Sequence, residues 1–473
     1  MPTLTRRRFL GTVGALTPAL MAGGKAAAAP PQKPSFIVIY ADDQGYGDLG
    51  CYGATKFKTP NIDRMATEGT RFSDFYVTAP VCTPTRSSLM TGCYPRRVGM
   101  HQHVLFPNST KGLNPSEVTV AEALKPQGYA TACIGKWHLG YQKQFLPTSQ
   151  GFDYYFGIPF SNDMWLPPDM DYAPDAKLPA DLSDEVRRKG EHKRSTVPLM
   201  RNDKVIEYPV DQATLTERYT EEAVRFITAN KDKPFFLYLP HTMPHYPLHI
   251  SERFKDKSGA GLFGDVIECI DWSVGQILAA LKKLGIDEKT LVVYTSDNGP
   301  AAGSAGPLRG KKGSTWEGGM REPCIVRWPG QVPAGAECRE VATIMDLLPT
   351  FARLAGTEAP KDRIIDGKDI WPLLAGEAGA KSPYDAFFYH TAQGQLAAVR
   401  QGKWKLHVVA PGGRPQTKGA PQEKAPLLFD LLTDIGETKN VAGEHPDIVA
   451  RLTDIFRRFD ADLQAHLRPP GSV

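Results

Sequence analysis

Three apolar runs in this chain end in side chains able to hold a cation or move a proton. "SFIVIYADD" closes on Asp42 and Asp43, "PFFLYLPHTMPHYP" on His241 and His245, and "LVVYTSDNG" on Asp297 and Asn298. Carboxylates and a side-chain amide are hard oxygen donors, so a metal held by them would be Ca²⁺ or Mg²⁺ rather than zinc. A fourth stretch, "VCTPTRSSLMTG", sets Cys82 before Pro84 and Arg86 among hydroxyl residues. The Cys-x5-Arg spacing of a thiolate phosphatase is absent because Arg86 comes too early, which argues against a nucleophilic thiolate. The seven cysteines show no CxxC pair that would indicate zinc or a thioredoxin-like site. Most of the others sit in apolar stretches and read as small buried hydrophobes.

These groups need a scaffold that brings them together. Ser35–Tyr40 and its two counterparts read as buried strands. Between the second and third, Val266, Ile267, Ile270, Val274, Ile277, Leu278, Leu281 and Leu284 fall at helical spacing, and Gly285 is a natural stop. Strand, helix, strand predicts an α/β domain with a mostly parallel sheet covered by helices on both faces, ligands lying beyond the carboxyl ends of the strands. The polar strand ends then meet at one edge. The small-residue stretch "AGEAGAKSPYD", from Ala375, marks a boundary. Beyond it "DAFFYH", "QLAAVRQGKWKLHVV" and "PLLFDLL" read as antiparallel strands and "HPDIVARLTDIFRRFDADLQ" as a closing helix, a smaller α+β domain. The predicted segments are 1–29, 33–375 and 380–465, with "APGGRPQTKGAPQEKAP" a mobile, exposed loop.

Residues 1–29 contain Arg6, Arg7, Arg8 and Lys25 and no acidic residue, and they account for the whole formal charge of +4. A neutral remainder gives no electrostatic reason to bind nucleic acid or an anionic membrane. "TRRRFLG", a short apolar run and "GGKAAAAPP" read as an export signal of twin-arginine type, with an ordinary secretory signal as the alternative. The mature protein is expected to begin near Pro30 and to work outside the cytoplasm, in the bacterial periplasm, without a membrane anchor.

"CTPTRSSLMTG" resembles the sulfatase signature Cys-x-Pro-x-Arg, in which the cysteine is oxidised to formylglycine. "YADDQGYGDLGCYG", "GKWHLG", "GFDYYFGIPFSND", "PHYP", "TSDNGP", "KKGSTWEGGMREP" and "AVRQGKWKLH" follow in the order seen in arylsulfatase A-like and galactosamine-6-sulfatase-like members. The resemblance implies an alkaline phosphatase-like large domain and hydrolysis of aryl or sugar sulfates. It also implies a formylglycine-generating enzyme as maturation partner and Ca²⁺, with Mg²⁺ possible, held by Asp42, Asp43, residue 82, Asp297 and Asn298. A hydrated aldehyde at position 82 would attack sulfur with one hydroxyl and expel sulfate with the other. By the same resemblance Asp297 helps deprotonate the attacking hydroxyl, and Arg86 and Lys136 hold the formylglycine. His138 takes the proton that lets sulfate leave, and His245 and Lys312 contact the sulfate and the ester oxygen. Ser161 and His407 match positions on the substrate side.

Plainer readings stand beside these. Asp42 and Asp43 also fit a helix cap, Lys136 and His138 a solvated loop, and Asp297 and Asn298 a turn. His241 competes with His245, and Lys311 with Lys312. A metal-dependent phosphodiesterase or phosphonate hydrolase is the alternative function; a non-catalytic carbohydrate-binding relative and a scaffold with unmodified Cys82 are further ones. The alcohol and the oligomeric state are left open, because loops build the substrate pocket.

Overall fold

Ser35–Ala41 is the central strand, and its sequence explains why. Phe36, Val38 and Tyr40 enter one apolar layer and Ile37, Ile39 and Ala41 the other, so both faces are buried. The computed structural model describes residues 33–412 and 424–473. The expected export signal and most of the loop read as mobile lie outside the described residues.

Phe235–Pro240 and Thr290–Ser296 pair with the central strand in parallel, one on each side. Ala130–Ile134 and then Tyr154–Gly157 extend the parallel region. Arg321–Arg327 and Thr70–Tyr76 continue the other side with antiparallel pairing, completing the core of a mixed twelve-stranded sheet. The short strands Leu199–Arg201, Lys204–Glu207 and Tyr172–Lys177 widen the sheet past Tyr154–Gly157. They carry no long apolar run, and for that reason the sequence pattern did not mark them.

Helices Leu215–Ala229 and Gly261–Lys283 cover one face through Tyr219, Ile227, Ile270, Val274 and Leu281. The second ends as its periodicity requires, with Gly285 in the left-handed region at φ 68°. Helices Cys82–Thr91 and Leu347–Leu354 cover the other face, where Phe351 stacks on Phe36 at 4.3 Å between ring centres.

The C-terminal strands Phe387–His390, Leu396–Gln401, Trp404–His407 and Leu427–Asp430 form a separate antiparallel sheet in that order. Helix Pro446–Ala465 closes it, with Phe459 stacked on Phe388. The architecture is therefore the expected one, a large α/β sheet of alkaline phosphatase type and a small C-terminal α+β domain. Among the described residues no helix is long and apolar enough to cross a membrane.

Candidate active site

The carboxyl ends of the parallel strands carry the groups of three expected strand ends and, beyond them, Lys136 and His138. Asp42 and Asp43 follow Ser35–Ala41, Asp297 and Asn298 follow Thr290–Ser296, Lys136 and His138 follow Ala130–Ile134, and His245 follows Phe235–Pro240. Cys82 opens the helix Cys82–Thr91, so Arg86, four residues on, lies one turn below it on the same face. Pro84 fits in that first turn, where a backbone N–H has no helical partner to lose. The spacing of the motif is thus a helical one.

Two loops turn sharply to deliver their side chains. Gly135, at φ 135°, lies against Phe235–Pro240 so closely that a Cβ there would stand 1.8 Å from the Pro240 carbonyl oxygen. This approach lets the Lys136 N–H donate to the same carbonyl at 2.8 Å. Asp43 and His138 hold φ values of 65° and 64°, a region that non-glycine residues enter at a cost. Thr83 ties the loop of His138 down: its hydroxyl donates to the His138 carbonyl at 2.9 Å and accepts from Leu105 N–H at 3.2 Å.

Oxygens of Asp42, Asp43 and Asp297 and the Cys82 sulfur all lie within 4.8 Å of one another, and all four residues are buried. Asn298 donates its amide to Asp43 Oδ1 at 2.7 Å, while its own Oδ1 is buried without a partner. An orphaned acceptor beside three carboxylates is a donor set that fits a hard divalent cation. Three cations surround the cluster. Arg86 donates from Nε and Nη2 to Asp297 Oδ2 at 3.2 and 2.8 Å, Lys136 Nζ to Asp42 Oδ2 at 2.6 Å, and Lys312 Nζ lies 2.6 Å from Asp43 Oδ1. Lys312 Nζ also stands 3.7 Å from the Cys82 sulfur. Three carboxylates balance three cations, so an added metal ion would make the site net positive, as an anionic ester requires.

Burial sets the protonation states. It pushes the Cys82 thiol well up despite Lys136 and Lys312, leaving no thiolate at neutral pH. Burial alone would raise the Asp42 carboxyl, but Lys136, His245, Arg86 and Lys312 hold it well below the usual range. Asp297 is pushed up to about 7 by burial and by Asp42, against Arg86 and Lys136. His138 is held neutral by burial and by Lys136 and Arg86. Its Nε2 lies 2.9 Å from the Leu105 carbonyl, which fixes the proton there and leaves the buried Nδ1 a bare lone pair.

The structure separates the two ambiguous pairs. His245 lies 3.7 Å from Asp43 Oδ2 and 3.4 Å from the Ser161 hydroxyl, whereas His241 is buried against Ser273 under the helix layer. Lys312 points into the cluster, and Lys311 reaches the exposed Gly303 carbonyl. Ser161 accepts from Lys136 at 3.2 Å and so stands among the site groups.

His407 is fully buried like most of the other site groups, with Nε2 3.2 Å from Glu437 Oε1 and its ring against Trp316. The adjoining Lys405 explains its position. Lys405 Nζ bridges Glu317 and Glu437 at 2.9 and 2.8 Å and donates to the Thr315 carbonyl at 2.8 Å. This buried network joins the small sheet to the loop that carries Lys312. The sequence reading also missed Asn162, which faces His245 Nδ1 at 3.0 Å, although it adjoins Ser161 in "IPFSND".

Comparison with known proteins identifies the family. The sulfatase family model matches residues 34–357, and the model for the C-terminal region of aryl-sulfatase matches residues 382–468. Arylsulfatase A of Homo sapiens is 40% identical over 92% of this chain and 89% of its own. Steryl-sulfatase of Mus musculus is 36% identical over 95% and 85%. The crystal structure of Ps i-CgsB in complex with k-i-k-neocarrahexaose superposes with a TM-score of 0.76 at 30% identity, covering 93% of this chain and 95% of that one. A donor cluster at the strand ends, a Cys-x-Pro-x-Arg helix beside it and a family match over both sheets lead to one conclusion: the chain belongs to the sulfatase family and is a sulfuric ester hydrolase of arylsulfatase type.

Proposed function

We propose that the enzyme cleaves aryl or sugar sulfates with a formylglycine made from Cys82 and a Ca²⁺ or Mg²⁺ ion held by Asp42, Asp43, residue 82, Asp297 and Asn298. One observation carries the reading: Cys82, 1% exposed, stands 3.5 Å from Asp42 Oδ1 and 3.7 Å from Lys312 Nζ, beside the unpartnered Oδ1 of Asn298. Once formed and loaded, the hydrated aldehyde supplies a nucleophilic hydroxyl and a second one for release, and the cation supplies positive charge for the sulfate oxygens.

The chain's own residues do the rest. Asp297, anchored by Arg86, takes the proton of the attacking group. Lys136 and Lys312 face residue 82 with charges already fixed in place, so they need no reorganisation to meet negative charge developing on the ester. His245 and Lys312 assist the departing alcohol. The bare Nδ1 of His138 accepts the proton whose loss frees sulfate. The relatives' names, an arylsulfatase and a steryl-sulfatase, and a solved relative holding a neocarrahexaose support ring-bearing alcohols as substrates.

Burial of Cys82 also bears on where the enzyme matures. A sulfur this enclosed is out of reach of another enzyme in the folded state, so a formylglycine-generating enzyme must act before folding is complete. A twin-arginine signal on residues 1–29 exports folded chains, and the two steps then follow in order, modification in the cytoplasm and work in the periplasm.

The test is protein produced with a formylglycine-generating enzyme, assayed on an aryl sulfate, sulfated mono- and disaccharides, and matched phosphodiesters and phosphonates. Sulfate release is expected, together with loss of sulfur and gain of oxygen on the Cys82 peptide by mass spectrometry. Full activity with an intact thiol would end the formylglycine reading, and preference for phosphorus esters would favour the phosphonate hydrolase alternative.

A further inference from the structure

Only two aromatic side chains appear among the exposed large hydrophobic residues of the described chain, Phe106 at 40% and Tyr246 at 49% exposure. Both adjoin the site. Tyr246 follows His245, and Phe106 follows Leu105, whose carbonyl fixes the tautomer of His138. One loop lies next to both residues: Phe106 stacks on Trp165 with centroids 6.1 Å apart, and Ser161, four residues before Trp165, lies 3.4 Å from His245, the neighbour of Tyr246.

Their backbones are pinned. Asn162 Nδ2 donates to the Pro247 carbonyl at 2.8 Å, and His245 Nδ1 donates to the Tyr246 carbonyl at 2.6 Å. On the other side, Leu105 N–H bonds to Thr83, and Ser109 N–H donates to the Phe106 carbonyl at 2.8 Å. An aromatic ring left in water forgoes its burial energy, and one held there on a fixed backbone loses little entropy when something covers it.

We infer that Phe106 and Tyr246 form a stacking wall for the alcohol half of the substrate, and that this half carries a ring with an apolar face. The inference rests on the sulfatase reading above and adds the side chains that receive the ring of the leaving group. It is continuous with the site: Tyr246 adjoins His245, and Phe106 adjoins Leu105, whose N–H bonds Thr83 next to Cys82. An aryl ring and the C–H face of a pyranose share this chemistry.

The experiment compares wild type with Phe106→Ala, Tyr246→Ala, Phe106→Tyr and Tyr246→Phe on 4-nitrophenyl sulfate, galactose 6-sulfate and an acyclic alkyl sulfate. Each alanine variant should lower kcat/KM for a ring-bearing ester about tenfold more than for the acyclic one, mainly through KM, as loss of a stacked ring predicts. The variants that keep a ring should restore the ratio. A selective loss on the aryl ester or on the sugar identifies which ring the wall takes. An equal loss on all three esters, or no loss with the alanine variants, overturns the wall while leaving the sulfatase reading intact. Wild-type enzyme inert on every sulfate ester would instead fail the reading on which the wall rests.

Discussion

Asp297 receives Arg86 on a single oxygen: Nε and Nη2 both point at Oδ2, while Oδ1 accepts the Asp43 N–H at 3.0 Å. Arg86 is wholly buried, donates also to the Lys136 carbonyl at 3.0 Å and lies over the Tyr40 ring. One guanidinium thus ties three strand ends together.

Removing that guanidinium strands the buried Asp297 carboxylate, while Asp42 keeps Lys136 at 2.6 Å. Arg86→Ala should cost about 3–5 kcal/mol of stability in denaturant titration, the usual penalty for breaking a buried pair. Arg86→Lys keeps the charge but not the fork, and should fall between the two. A stable Arg86→Ala protein would mean that water reaches the pair.

The donor set predicts a metal response. Chelation should abolish activity, and Ca²⁺ or Mg²⁺ should restore it. Asp42→Asn should lose both the activity and the rise in Tm that added Ca²⁺ produces in wild type, since only a folded site binds the ion. Restoration by zinc alone would contradict the oxygen-donor reading.

The roles of Asp297 and His138 can be separated in time. If His138 serves only the release of sulfate, His138→Ala mixed with an aryl sulfate should liberate about one equivalent of phenol and then stall. Slow turnover without a burst would move His138 to the first step.

His241 offers a pH test away from the reaction. Burial lowers its pKa to about 4, below the value near 6.5 expected in the unfolded chain. Between those values the unfolded state gains a proton that the native state refuses, so stability falls as pH falls through this window. Replacing the imidazole removes the effect. His241→Gln should therefore show a dependence of unfolding free energy on pH that is shallower by about 1.4 kcal/mol per pH unit between pH 6 and 4.5. An unchanged slope would show that His241 is protonated in the fold.

Much of this was legible in the chain because its signals are local. Buried strands announce themselves as apolar runs, the Gly261–Lys283 helix by periodicity and the Gly285 stop, and the Cys82–Arg86 spacing is one helical turn. Asp42, Asp43, Asp297 and Asn298 were visible because parallel strands end on one side of a sheet, whatever the details of packing. What stayed hidden depends on residues far apart in sequence. His241 and His245 are four residues apart in one apolar-to-polar stretch, and only the path of the chain after Phe235–Pro240 sends one beneath the helix layer and the other to Asp43. Lys311 and Lys312 differ by one position, and the loop that chooses between them is set by the Gly313 N–H on Pro80 and by Lys405 on Thr315. The surroundings of His407 were hidden for the same reason, since they come from Glu437 and Trp316 across two sheets. Sequence alone determined the kinds of groups and the strand ends that carry them. Tertiary structure decided which member of each pair faces the carboxylate cluster, because burial and charge pairing act between residues that the chain brings together only when folded.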